Sequence, residues 1–166
     1  MPHVLSRPRR SGRLSRFSAV ALVGLSIALG TGCIFGAPMT PQVIEQSGTH
    51  VFEAPYDKVF AATVNALKSE GYPVASMDPA KGFIKTGQKF VRTIARGGNG
   101  TAVAVDITRQ YVIHIGKTPN GVTLSAEPRI FQGNAELTDQ PVWDLDSAQG
   151  ERALWQRLFR DIQEAM

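Results

Sequence analysis

Residues 111–126 read YVIHIGKTPNGVTLSA, and this stretch decides the fold. Apolar residues alternate with polar or small ones on both sides of the turn Pro119–Gly121. The alternating apolar residues are Tyr111, Ile113 and Ile115 before the turn, and Val122, Leu124 and Ala126 after it. Asn-Gly between two alternating segments is the strongest short-range hairpin signal. The stretch therefore predicts two antiparallel strands with a shared apolar face.

The alternating pattern continues beyond this stretch in both strands of the hairpin. Val103, Val105 and Ile107 extend the alternation of the first strand toward the N-terminus. Its partner strand carries polar side chains on the opposite face, which are Thr123, Ser125, Glu127 and Arg129. An antiparallel sheet with one apolar and one polar face is covered on one side only.

The region upstream of residue 90 predicts three more strand segments. His50–Glu53 is a short strand candidate, and Tyr72–Met77 and Phe83–Lys89 flank the run Asp78–Gly82. Asp, Pro and Gly in that run each favour a turn. The two flanking segments are therefore predicted to form a second hairpin.

Two amphipathic helices are predicted, one before and one after the main strands. The first follows Pro55 and ends at Gly71, and its apolar residues are Tyr56, Val59, Phe60, Val64 and Leu67. The second follows Ser147 as a candidate N-cap, and its apolar stripe is Trp155, Leu158, Phe159, Ile162 and Met166. Spacings of three and four residues are typical of one helical face. We therefore expect an α+β domain in which two helices pack on one face of an antiparallel sheet of about four to five strands.

The N-terminal segment has the organisation of an export signal. Five arginines precede the apolar run Phe17–Leu29, which gives way to the small residues Gly30–Gly32 and then to Cys33. This order of charge, apolar residues and small residues is typical of a signal peptide. Leu29–Cys33 resembles a bacterial lipobox, with Gly30 where the strongest form has leucine.

These features predict cleavage between Gly32 and Cys33 and lipidation of Cys33, with palmitate and diacylglycerol as the attached groups. Residues 1–32 would be the signal peptide, 33–48 a flexible tether and 49–166 a single globular domain. Two alternatives remain: an uncleaved anchor, for which the run is shorter than the about 20 apolar residues that a spanning helix needs, and ordinary cleavage after Ala28.

Charge and cysteine content narrow the classes of partner. Of the 18 Lys and Arg residues, five precede Cys33, so 13 remain against 14 acidic residues after cleavage. A mature chain of net charge about −1 lacks the basic surface that nucleic-acid binding requires. Cys33 is the only cysteine of the sequence, which excludes an intrachain disulfide and a zinc site built on cysteines.

No catalytic or metal-binding motif is found. His50 and His114 lie in separate predicted strands, and we interpret them as ordinary strand residues. Asp78, Asp144 and Asp146 are interpreted as turn and helix-start residues. Arg96–Gly100 lacks the lysine and Ser/Thr of a phosphate-binding P-loop and predicts a mobile hairpin loop. We expect no enzymatic activity and no cofactor.

One family resemblance is carried by packing positions in residues 50–90. Tyr56–Ala62, Ala66–Leu67, Gly71–Val74, Asp78 and Gly82–Thr86 resemble the small helix-grip domains of bacterial envelope lipoproteins, such as the accessory C lipoprotein of the β-barrel assembly machinery. The resemblance implies a non-catalytic accessory or docking component with other envelope proteins as partners. By resemblance to the lipoprotein sorting rule of enteric bacteria, Ile34 in place of aspartate after Cys33 implies the outer membrane, facing the periplasm. An alternative is that helix and sheet enclose a small molecule or a lipid.

Replacement of Cys33→Ser tests the export assignment. Without a thiol the diacylglycerol transfer has no acceptor, so the variant should accumulate as the uncleaved precursor and lose all labelling by a fatty-acid probe. The measurement is metabolic labelling followed by electrophoresis. Labelling equal to that of the wild type would contradict the assignment.

Overall fold

The computed structural model of the chain describes residues 37–97, 100, 102–137 and 142–166. The predicted signal peptide 1–32, the cleavage site at Gly32 and Cys33, and the start of the predicted tether lie outside these residues. So do positions 98 and 99 of the predicted loop Arg96–Gly100. In the described part of the chain, no helix combines the length and the apolar character needed to cross a membrane.

The described residues form an α+β fold, as predicted. In chain order the elements are β1 (Ala37–Pro38), α1 (Pro41–Ser47), β2 (Thr49–Phe52), α2 (Tyr56–Ser69), β3 (Val74–Asp78), β4 (Phe83–Thr86), β5 (Lys89–Arg96), β6 (Val103–Thr118), β7 (Gly121–Gln132), β8 (Ala135–Glu136), β9 (Val142–Trp143) and α3 (Glu151–Glu164). Five strands lie in the order β2-β7-β6-β4-β3, β5 continues beside β6 beyond β4, and β8 pairs with β7. All of these pairs are antiparallel, and β1 and β9 form a separate antiparallel pair.

The hairpin of β6 and β7 forms the centre of the sheet. Thr118 lies opposite Gly121, so the loop between the strands is Pro119–Asn120. Gly121 has φ +135, and a Cβ atom at this position would lie 2.5 Å from the carbonyl oxygen of Phe52 on β2. Glycine is therefore needed here both for the turn and for the close approach of the neighbouring strand.

The two long helices supply the other half of the core. They pack against each other, and their buried apolar residues form one cluster with those of the sheet. The predicted helical stripes are confirmed at their centres, because Val59, Leu67, Trp155 and Ile162 are fully buried. The predicted members Tyr56, Val64 and Met166 are partly buried, and Met166 lies beyond the end of α3. Pro55 precedes α2 as its N-cap, and Gly71 follows it with φ +79.

The predicted tether is wrong over residues 41–48. Thr40 caps α1 by accepting a hydrogen bond from Val43 N at 3.2 Å, and Pro41 occupies the first turn, where its missing N–H does no harm. Val43 and Ile44 pack against the core. Gly48 is buried, and its carbonyl accepts from Ala126 N at 2.8 Å. The packed body therefore begins before residue 49.

Three further predictions are corrected. Among the described residues the main sheet has seven strands rather than four to five. The predicted strand Phe83–Lys89 is broken at residues 87–88, so that β5 follows as a separate strand, and the short strand β8 pairs with β7. A short third helix, α1, adds to the predicted two. Ser147 is not the N-cap of α3, which begins at Glu151 after Gly150; Ser147 N instead donates to Asp144 Oδ1 at 3.1 Å in the preceding turn.

Replacement of Trp155→Ala tests the packing of α3. The side chain is fully buried, and truncating a large core side chain costs about 3–5 kcal/mol, against a usual total stability of about 5–15 kcal/mol. We expect a corresponding drop in the free energy of unfolding, measured by urea denaturation. Glu164→Ala, an exposed position on the same helix, is the control and should change stability by less than about 0.5 kcal/mol. Equal free energies of unfolding for the two variants would contradict the packing of Trp155 in the core.

Candidate functional site

A buried polar cluster joins the start of α3 to β6. Glu151 is the first residue of α3, and its side chain is fully buried. The Tyr111 hydroxyl donates to Glu151 Oε1, and Arg109 Nε lies 3.4 Å from Glu151 Oε2. The partial positive charge of a helix N-terminus favours a carboxylate at this position. The cluster therefore fixes the beginning of α3 against the sheet.

Burial dominates the protonation behaviour of this cluster. It raises the pKa of Glu151 above its usual value of 4.5, although the nearby Arg109 guanidinium acts in the opposite direction. Burial, reinforced by the charge of Glu151, also raises the pKa of Tyr111 well above its usual value. Burial therefore makes the ionised form of Glu151 unfavourable in free energy. The charge of Arg109 and the hydrogen bond from the Tyr111 hydroxyl offset part of this.

An open cleft lies beside this cluster, between β5 and the start of α3. We call it the β5 cleft. It consists of two adjoining cavities of about 310 and 230 Å³ that share Val91, Arg109 and Gln149 in their linings. Its charged lining residues are four basic ones, Lys89, Arg92, Arg109 and Arg157, and one acidic one, Asp144. The cleft is therefore wide, open to solvent and lined mainly by cations.

Most of these cations have partners within the described chain. Arg157 forms a two-pronged pair with the Glu70 carboxylate, with Nη2 at 2.8 Å from Oε2. The Lys89 ammonium donates to the Glu70 carbonyl and lies 4.8 Å from the centre of the Tyr72 ring. Lys89 thus has no carboxylate partner among the described residues. Arg92 forms no salt bridge there, but its charge acts on the Asp144 carboxylate, which lines the same cavity.

The outer part of the sheet beyond the cleft exposes apolar side chains. We define the β5 arm as β5 together with its paired residues 103–109 on β6. Of the five large apolar side chains found exposed among the described residues, three belong to this arm: Phe90 at 58%, Val91 at 39% and Val103 at 63%. Val103 was predicted to contribute to the apolar core. Its exposure shows that this prediction is wrong.

The edge of β5 is also unpaired in the described structure. Its one strand partner there is β6, and no described loop or turn forms a backbone hydrogen bond with residues 89–96. An exposed edge with apolar side chains is a surface on which another chain can pair. The β5 arm and the β5 cleft therefore form the candidate site.

The two histidines do not come together. His50 lies on β2 with its ring centre 5.2 Å from that of Phe159, on the side of the sheet that faces α3. His114 lies opposite Ser125, which in turn lies opposite Thr49, one residue before His50. Because side chains alternate between faces, His114 is on the other side of the sheet. In the described residues no group of three or more His, Cys, Asp or Glu is placed to hold a metal ion.

Two other cavities bear on ligand binding. Between the helices and the sheet, a space lined by Leu67, Tyr72, Tyr111 and Leu158 among others measures about 10 Å³, room for about one water molecule. On the opposite side of α3, an open groove of about 480 Å³ is lined by His50 and Phe159 together with polar residues of the helix. In the part of the chain described here, the core holds no cavity of ligand size among those found.

No protein-family model matches the chain, and no curated protein matches it either. The candidate site therefore rests on its own geometry. Sequence reasoning missed Glu151, although it lies four residues before Trp155 and so on the apolar stripe of α3. A carboxylate on that stripe was the available signal. β5 gave no comparable signal, since KFVRTIAR mixes cationic and apolar residues without strict alternation.

Replacement of Glu151→Gln tests the buried carboxylate through pH. A carboxyl whose folded pKa is raised stabilises the fold below its unfolded pKa and loses that contribution as pH rises through the folded pKa. The free energy of unfolding of the wild type minus that of the variant should therefore fall as pH rises from about 4.5 and level off above the raised pKa. Urea denaturation over a pH series measures it. Glu53→Gln, at an exposed position, is the control and should change the free energy of unfolding by less than about 0.5 kcal/mol. A difference between wild type and Glu151→Gln that grows with pH would reverse the assignment.

Proposed function

We propose that the chain is a non-catalytic lipoprotein of the bacterial cell envelope that is anchored through lipid on Cys33 and docks other envelope proteins through the β5 arm. In this proposal the protein faces the periplasm from the outer membrane. The leader Arg7–Cys33 supports the anchoring. The observation that carries the docking role is the concentration of exposed apolar side chains on an arm with an unpaired strand edge.

The alternative is a domain that binds a small molecule or a lipid between helix and sheet. Such sites are concave, mostly apolar and about 300–1,000 Å³ in volume. The space between the long helices and the sheet measures about 10 Å³. Trp155, Phe52 and Leu67 are fully buried members of the core that the helices and the sheet share. This filled core favours a docking role over an internal ligand.

Site-specific crosslinking in living cells tests the docking role. A photoreactive phenylalanine analogue replaces Phe90 on the arm or, as a matched control, Met77 on β3, which is 56% exposed. We expect a discrete crosslinked product in the membrane fraction from position 90 and none from position 77. The same products from both positions, or none from either, would contradict docking through the arm.

A further inference from the structure

We infer that β5 accepts an acidic, extended segment of a partner protein as an added antiparallel strand, with acidic residues opposite Arg92 and Arg96 and an apolar residue opposite Ile94. This inference rests on the proposed docking role and names the chemistry of the partner. It follows from the register of β5, the distribution of charge along it and the side chains on its two faces.

The backbone of β5 is suited to strand addition over five residues. Its pairing with β6 shifts register between Phe90 and Arg92, but it is regular from Arg92 opposite Ile107 to Arg96 opposite Val103. Within the described chain the other edge of this stretch has no strand partner. Main-chain hydrogen bonds to such an edge supply affinity, and the alternating side chains supply specificity.

The charge on β5 selects the partner. The strand carries Lys89, Arg92 and Arg96 and contains no acidic residue. Arg92 and Arg96 are exposed, and the side-chain partner of Arg96 in the structure is the neutral Gln132, at 2.8 Å from Nη1. Electrostatic complementarity therefore favours an acidic segment.

The same charges disfavour a second copy of this chain at the edge. Two β5 strands paired antiparallel would bring cationic side chains opposite one another, and like charges directly opposite destabilise a strand pair. Charged side chains on an edge strand commonly prevent such self-association. The occupant that fits is thus a different sequence of opposite charge.

The side-chain pattern specifies where the acidic residues must lie. Side chains alternate between the two faces of a strand, so Arg92, Ile94 and Arg96 share one face. Ile94 is partly buried, and Val105, its neighbour on β6, is also partly buried. A partner strand therefore needs the order acidic, any residue, apolar, any residue, acidic, which places its apolar side chain beside Ile94.

The test uses the full-length protein in non-ionic detergent and peptides of the length of β5, which is 8 residues. The probe peptide is threonine-rich and contains Glu, Val and Glu at alternate central positions. One control peptide has Lys in place of each Glu, and a second has Pro in place of Val, which keeps both charges but removes strand pairing. Affinity is measured by fluorescence anisotropy, and strand addition by the amide exchange rates of residues 92–96.

We expect the Glu peptide to bind and to slow exchange of amides in residues 92–96, and the Lys and Pro peptides to bind at least about tenfold more weakly. The double replacement Arg92→Glu with Arg96→Glu should weaken binding of the Glu peptide about tenfold and strengthen binding of the Lys peptide. Lys58→Glu with Lys68→Glu makes the same charge change on exposed positions of α2 and should leave both affinities unchanged.

Equal affinity for the Glu and Pro peptides, or binding without slower exchange on β5, would overturn strand addition. Equal affinity for the Glu and Lys peptides would overturn the acidic preference, and dimerisation through β5 would overturn the choice of occupant. If these tests fail while the crosslink from position 90 persists, the arm docks its partner by other chemistry. Loss of that crosslink would instead remove the docking role itself.

Discussion

The packing of Trp155 is the constraint on which the rest of this structure depends. The indole is fully buried, and its Nε1–H donates to the Ala126 carbonyl on β7 at 3.0 Å. A Cβ atom at Gly48 would lie 2.8 Å from the indole ring, so this position must be glycine for the ring to fit. One side chain thus holds together α3, the central hairpin and the segment that follows α1, three parts of the chain that are far apart in sequence.

The position of Trp155 determines the environment of Glu151. Residues four apart lie on the same face of a helix, so docking the indole carries the carboxylate under the sheet toward Arg109 and Tyr111. Removing a carboxylate from water is unfavourable unless partners replace the lost hydration. The Tyr111 hydroxyl donates a hydrogen bond to Oε1, and Arg109 supplies a positive charge 3.4 Å from Oε2, which accepts no hydrogen bond from the described residues. Arg109 also lines the β5 cleft, so the core and the candidate site share a residue.

The parts of the fold that follow from local patterns could be predicted from the sequence. The central hairpin, α2 and the stripe of α3 each have a strong period, and each was found where the pattern placed it. α1 has a signal in Thr40 followed by Pro41, but two prolines and the absence of an apolar period masked it. β5 is specified mainly by its pairing with β6, which local sequence does not show. Val103 continues the alternation of β6 beyond the point where a helix can cover it.

The exposure of the β5 arm follows from a mismatch in length. β6 has 16 residues and, at about 3.4 Å per residue, extends about 54 Å. The helices α2 and α3 have 14 residues each and, at about 1.5 Å per residue, extend about 21 Å. A helix of that length cannot cover the whole strand. The apolar alternation at residues 103–105 therefore has no cover from them, whereas Tyr111, Ile113 and Ile115 are buried. The exposed side chains of β5, such as Phe90, Arg92 and Arg96, lie outside the core around Trp155. They can therefore contact a partner without altering the interactions that hold the domain together.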